Sequence, residues 1–112
     1  MAFDDETLNK VISDYVSDVI GAMPIDRAYL FGSYAKGTAT EHSDIDICFF
    51  SSGFENMASV DVMIELFRLA RKYNEADIQP RGYPTSDLDN DNPFIKEILR
   101  TGREVYPSNS TA

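Results

Sequence analysis

Between Thr7 and Ile20 the apolar residues Leu8, Val11, Ile12, Tyr15, Val16, Val19 and Ile20 recur at intervals of three and four, which predicts an amphipathic helix ended by Gly21 and Pro24. The unbroken apolar run Ala28-Tyr29-Leu30-Phe31 predicts a first strand. Gly32, Ser33, Ala35 and Gly37 then predict a tight turn into a short helix, and the polar stretch Thr38 to Ser43 reads as a loop. From about Asp44 to Phe50 the period changes to two. Asp44, Asp46 and Cys48 fall on one face of this second strand, and Ile45, Ile47 and Phe49 on the other.

After the turn Ser51-Ser52-Gly53, residues Val60, Met63, Ile64, Phe67, Leu69 and Ala70 mark a long helix ended by Asn74, with the stripe Met63, Phe67 and Ala70 expected in the core. Its basic last turn, Arg68, Arg71 and Lys72, suits the helix dipole. Glu75 to Pro80 alternates as a third strand, with Ala76 and Ile78 on one face and Glu75, Asp77 and Gln79 on the other. Arg81 to Asn92 reads as a loop. Asn92-Pro93 starts a last helix whose Phe94, Ile95, Ile98 and Leu99 are expected to face the core, and Gly102 stops it. Glu104-Val105-Tyr106 adds a short edge strand. The expected architecture is a single α/β (α+β) domain over residues 1–106, a small sheet of three to four strands flanked by helices, with residues 107–112 as a disordered tail.

Composition narrows the possibilities. A chain of 112 residues with 43% apolar content suits one domain with one core. No apolar run approaches the roughly 18 to 20 residues of a membrane-spanning helix, and the acidic start Phe3-Asp4-Asp5-Glu6 is unlike a secretory leader, so no membrane association and a cytoplasmic location are expected. The single cysteine, Cys48, lies in an apolar strand and reads as a buried thiol. A net charge of -9 repels a polyphosphate backbone, so direct nucleic-acid binding is not expected; the charge suits metal ligands or a basic partner surface.

Candidate chemistry gathers at the strand ends. Gly32 would let the backbone approach a phosphate, and Ser33 offers a hydroxyl and an amide at a helix start, so the pair would hold the β and γ phosphates of a nucleotide. Lys36, one helical turn on, is placed either to reach the same phosphates or to remain a surface lysine. Asp44 and Asp46, two apart on one strand face, can share divalent metal, and Asp77 on a neighbouring strand offers a third carboxylate, with Glu75 two residues earlier as an alternative. Oxygen donors of this kind suit magnesium better than zinc. His42, the lone histidine, either touches substrate or acts as a base, or else is merely exposed, and Tyr34 packs either on a base or sugar or beneath the short helix.

Leu30-Phe31-Gly32-Ser33-Tyr34-Ala35-Lys36-Gly37, followed at a fixed interval by Asp44-Ile45-Asp46, resembles the signature of the DNA polymerase β-like nucleotidyltransferases. By size and by its segment Phe94 to Tyr106, the chain is most similar to the minimal nucleotidyltransferases, the antitoxins of HEPN/MNT toxin-antitoxin pairs. The resemblance implies the nucleotidyltransferase core with a mixed sheet, and catalytic, metal-binding Asp44, Asp46 and Asp77. It implies triphosphate binding at Gly32 and Ser33, joined by Lys36 on the reading above. It also implies two Mg2+ ions, ATP as substrate, and transfer of AMP to a tyrosine of a partner HEPN ribonuclease, with which the chain would assemble. Larger aminoglycoside and RNA nucleotidyltransferases carry a helical second domain that helps bind the acceptor; these residues leave no room for one, so a partner is expected to supply that surface. Two other functions fit the same residues: a nucleotide-binding antitoxin acting by occlusion, and transfer to a small molecule such as an aminoglycoside.

Overall fold

In a computed structural model of the chain, which describes residues 5–40 and 43–107, the first apolar pattern forms helix α1 (Asp5–Ala22) and the first apolar run forms β1 (Arg27–Phe31). A single turn of helix, α2 (Ser33–Lys36), leads to β2 (Ile45–Ser51). Helix α3 (Ser59–Ala70) joins β2 to β3 (Ile78–Pro84), and α4 (Pro93–Thr101) leads into β4 (Arg103–Tyr106). The four strands form one mixed sheet in the order β3-β2-β1-β4. β1 is antiparallel to both β2 and β4, whereas β2 and β3 run parallel. A parallel pair needs a crossover, and α3 supplies it.

The two faces of the sheet bury different sets of side chains. Ile45, Ile47 and Phe49 of β2, with Ala28, Leu30 and Ile78, pack under α1 and α3. Each such large side chain contributes about 1.5–3 kcal/mol when fully buried. Tyr15 of α1 is fully buried there, and its hydroxyl donates to the Leu66 carbonyl of α3 at 2.8 Å, so the two helices are joined by a satisfied polar contact. On the opposite face Ile95 and Ile98 of α4 cover Tyr29, Cys48 and Phe50. The expected strand parity of β2 therefore holds, and Cys48 is the buried thiol expected, its pKa pushed up to about 12 by burial.

Three expectations from the apolar pattern need correction. The core face of α3 is Val62 and Leu66, while Val60, Ile64 and Phe67 are 62%, 60% and 41% exposed. The helix has two apolar stripes at helical spacing, and only one can face the sheet; Met63, Leu69 and Ala70 lie at its margin, partly buried. Phe94 and Leu99 are likewise exposed, flanking the buried Ile95 and Ile98. The third strand is displaced: β3 starts after Asp77 and runs through Arg81 to Pro84, and a 3-10 turn, Thr85–Asp89, follows it.

Gly82 and Pro84 make the segment after Pro80 read as a loop, and the position of β3 at the sheet edge explains why the prolines are accepted. The Ile45 amide donates to the Asp77 carbonyl at 2.8 Å. In a parallel ladder that bond assigns the odd-numbered residues of β3 to β2, so the N–H groups that Pro80 and Pro84 lack would have faced the open edge. Gly82 lies under α3: a Cβ there would stand 2.6 Å from Val62 Cγ1 and 3.1 Å from both Leu66 Cδ1 and Phe54 Cε2. His42 and residues 108–112 of the expected tail lie outside the described residues.

Asp26, just before β1, ties together the two ends of the crossover region. Its Oδ2 accepts from the Ser52 amide at 2.8 Å and from the Thr85 hydroxyl at 2.6 Å, and these bonds hold its pKa below the usual carboxylate value. A depressed carboxylate stabilises the fold above its unfolded pKa and loses that contribution as the pH falls through the folded value. We therefore expect Asp26→Asn to lower the urea midpoint at pH 7 modestly, by less than about 1 kcal/mol because the group is exposed to solvent. The gap to the parent should narrow below about pH 4; a gap independent of pH would show that its charge is not involved. Gly82→Ala should cost about 1–3 kcal/mol in the same measurement, since Val62, Leu66 and Phe54 must all give way.

Candidate active site

The site begins where β1 ends. Gly32 has φ 77° and ψ -155°, a conformation open to glycine and strained for other residues, and it turns the chain from β1 into α2. Gly32 also follows Phe31, which pairs across the ladder with Asp46. The Asp46 carboxylate uses the space left by the missing side chain: a Cβ on Gly32 would lie 2.3 Å from Asp46 Oδ2. Gly32 thus serves both the turn and the carboxylate. Ser33 is the first residue of α2, whose leading amides have no partner within the helix itself. Gly37, with φ 76°, closes the turn, and its amide and that of Thr38 both donate to the Ser33 carbonyl.

The carboxylates arrive from two strands. Asp44 immediately precedes β2 and Asp77 immediately precedes β3, and the Ile45–Asp77 backbone bond sets the two residues side by side. Their carboxyl groups lie within hydrogen-bonding reach, and this contact, followed by burial and the Asp77 charge, raises the pKa of Asp44. The pKa of Asp46 is also raised, chiefly by burial and then by the Asp44 charge, with Arg81 pulling it back and Asp77 adding to the rise. Gln79 donates to Asp77 Oδ1 at 2.8 Å and fixes that carboxylate from its own strand. Asp44 and Asp77 therefore touch, with Asp46 near enough to feel both charges, and Asp77 precedes the strand rather than lying within it. The other carboxylate considered, Glu75, falls in the turn before β3.

The donor set suits a hard divalent cation: all oxygen, from carboxylates that repel each other without one. Among the described residues no three His, Cys, Asp or Glu side chains close into a ready-made cage, because Asp44 meets Asp77 while Asp46 Oδ2 lies against Gly32. Magnesium is commonly held by one or two carboxylates together with substrate phosphates and water, and an open set of this kind fits that habit. A groove of about 650 Å³ between α1 and β4, lined by Asn9, Ser13, Val16 and Arg103 among others, includes none of these residues.

Lys36 is exposed at the end of α2, and its charge adds to the hydrogen bond and charge of Arg100 in holding the pKa of Glu97 of α4 down. Tyr34 is partly buried against the larger core, the packing role among its two alternatives. Arg81 is the residue that sequence patterning missed. It follows Gln79 on the α4 face of β3, pairs in register with Cys48, and places its guanidinium 5.0 Å from the centre of the Phe94 ring. The clue was one of parity: Asp77, Gln79 and Arg81 alternate without a break, but Gly82 and Pro84 just beyond them mark the segment from Arg81 as loop.

A family profile described as polymerase beta nucleotidyltransferase matches residues 12–111. The chain is 28% identical over 109 residues to a candidate protein adenylyltransferase of Methanocaldococcus jannaschii, covering 91% of this chain and 68% of that protein. A solved structure of a candidate nucleotidyltransferase from Sulfolobus solfataricus matches with a TM-score of 0.62 and 28% identity, over 72% of this chain and 70% of the other. The crystal structure of a toxin-antitoxin with AMP-PNP matches with a TM-score of 0.63 over 90% of this chain and 74% of the other; at 20% identity this likeness is one of fold.

Gly32→Ala tests the double role of that glycine. The substitution must adopt a strained backbone and also displace the Asp46 carboxylate, so a stability loss of about 1–3 kcal/mol is expected by chemical denaturation. A stability equal to the parent would show that the turn relaxes without cost.

Proposed function

The chain belongs to the polymerase β nucleotidyltransferase family, and we propose that within it this protein is a magnesium-dependent adenylyltransferase, an antitoxin that moves AMP from ATP to a tyrosine of a partner HEPN-type ribonuclease. The observation that carries the proposal is the contact of Asp44 with Asp77, with Asp46 nearby and set against Gly32 of the Gly32-Ser33 turn. The relative named as a candidate protein adenylyltransferase supports the reaction class, and the toxin-antitoxin structure with AMP-PNP supports both the nucleotide and the type of partner.

Each residue has a task that follows from its position. The backbone at Gly32 and the amide and hydroxyl of Ser33 would bind the β and γ phosphates, with the missing Cβ allowing close approach. Asp44 and Asp46 would hold magnesium with Asp77 completing the set, and bound metal would neutralise the charge that builds on the phosphoryl oxygens during transfer. The tyrosine oxygen bonds to the α phosphorus as the bond to the β-phosphate oxygen breaks and pyrophosphate leaves. The hydroxyl proton passes to the Asp77 carboxylate, which Gln79 holds in place.

Asp44→Asn and Asp46→Asn should each reduce AMP transfer by about 100-fold or more, the scale expected when groups that stabilise transition-state charge are lost. Intact-mass spectrometry of the partner reads the added AMP, and circular dichroism checks that the variants fold. Full transfer by either variant would refute the proposal. If the double variant still silences the partner without modifying it, occlusion replaces transfer as the antitoxin mechanism.

A further inference from the structure

Arg81 has no carboxylate of its own to pair with. Among the described residues it makes no ion pair, whereas other cations nearby are committed: Arg100 binds both oxygens of Glu97 at 2.8 Å, and Lys96 meets Asp91 at 2.8 Å. Its partner on β2 is the buried Cys48, and the closest acid on that strand's same face is Asp46, one alternate position toward the site. Alternate residues of a strand are about 6.4–6.8 Å apart and neighbouring strands about 4.8 Å, so the diagonal between Arg81 and Asp46 is within the length of an arginine side chain. The chain thus keeps an exposed guanidinium with no ion pair among the described residues, in contact with the Tyr83 hydroxyl and on the same sheet face as Asp46, in a protein of net charge -9.

The guanidinium is also preorganised. It lies over the ring of Phe94, and Phe94 in turn packs edge-on against Phe31, the residue before Gly32, with ring centres 5.7 Å apart. Tyr83, two residues along β3, leans on the same Phe94 ring at 6.4 Å. Phe94 is 38% exposed although it contacts three aromatic or cationic partners, because it sits at the start of α4 on the rim of the site. Contact with the Phe94 ring and the Tyr83 hydroxyl restrains the planar group, a fork that in arginine can grip phosphate through two parallel hydrogen bonds.

We propose that Arg81 is a nucleotide-binding residue that contacts the phosphate chain of the bound nucleoside triphosphate, with Phe94 as the platform that holds its guanidinium toward the site. This assignment rests on the nucleotidyltransferase reading above and supplies a cation on the same sheet face as Asp46. An anionic triphosphate entering an acidic site needs such a group.

Calorimetric titration of AMP-PNP and of adenosine, each with magnesium present, tests the assignment in the parent, Arg81→Gln, Arg81→Lys and Arg100→Gln. Arg81→Gln should weaken AMP-PNP by about tenfold to a hundredfold, the usual cost of losing a hydrogen bond to a charged group, and leave adenosine unchanged. Arg81→Lys should recover part of the loss, since it restores the charge but not the stacked fork. Arg100→Gln removes an equal charge from α4 and should leave AMP-PNP affinity as it was. Unchanged AMP-PNP affinity in Arg81→Gln overturns the assignment alone, as does an equal loss for adenosine, which would make Arg81 a base platform. A parent protein that binds no triphosphate removes the nucleotidyltransferase reading and this assignment with it.

Discussion

The hydrogen bond from the Ile45 amide to the Asp77 carbonyl starts the parallel ladder between β2 and β3, and the arrangement of the acidic site follows from it. It sets Asp44 beside Asp77 across a gap of more than thirty residues in sequence. The same register puts Gln79 opposite Asp46 and Arg81 opposite Cys48, which fixes the order of polar groups on the α4 face. Shifting β3 by one residue would turn Asp77, Gln79 and Arg81 toward α3 and aim Ile78 away from the core. That slip is opposed by the burial of Ile78 and by the close fit of Gly82 under Val62, Leu66 and Phe54. Packing on the apolar face thereby holds the chemistry on the other.

The site itself opposes the fold's electrostatics. Asp44 has a raised pKa chiefly through its contact with the Asp77 carboxyl, and Asp46 chiefly through burial, with like charge adding to both. Groups of this kind favour the folded state below the ordinary carboxylate range and lose that contribution as the pH rises through their folded values. The structure offsets some of this cost locally, through Arg81 beside Asp46 and Gln79 on Asp77. Carboxylates kept together against their mutual repulsion mark functional sites more often than structural ones. Their place at the mouths of two strands, next to a glycine whose missing side chain Asp46 occupies, agrees with membership of a nucleotidyltransferase family.

Much of this was legible along the chain, in places where local pattern and tertiary packing agree. The parity of β2 separated Asp44 and Asp46 from Ile45, Ile47 and Phe49, and the sheet uses that separation as predicted. Gly32 and Gly37 marked a turn, and both have positive φ. Pattern failed on α3 because two apolar stripes share one helix, and periodicity cannot say which stripe meets the sheet; Val62 and Leu66 do, and Phe67 does not. It failed again at Arg81 to Pro84, because proline and glycine are loop signals unless the strand lies at an edge, and edge position is a property of the whole sheet.

By itself the sequence determined which residues could do chemistry: Gly32 and Ser33 at a turn, Asp44 and Asp46 on one strand face, and Asp77 as a third acid, since these rest on local periodicity and on the conformational freedom of glycine. Only the tertiary structure decided how they meet. Parallel pairing brought Asp77 to Asp44, the Phe31–Asp46 pairing brought Gly32 to the carboxylate, and the start of α4 brought Phe94 over Arg81. Those encounters depend on strand register and helix placement, which arise from long-range packing that no short window of residues contains.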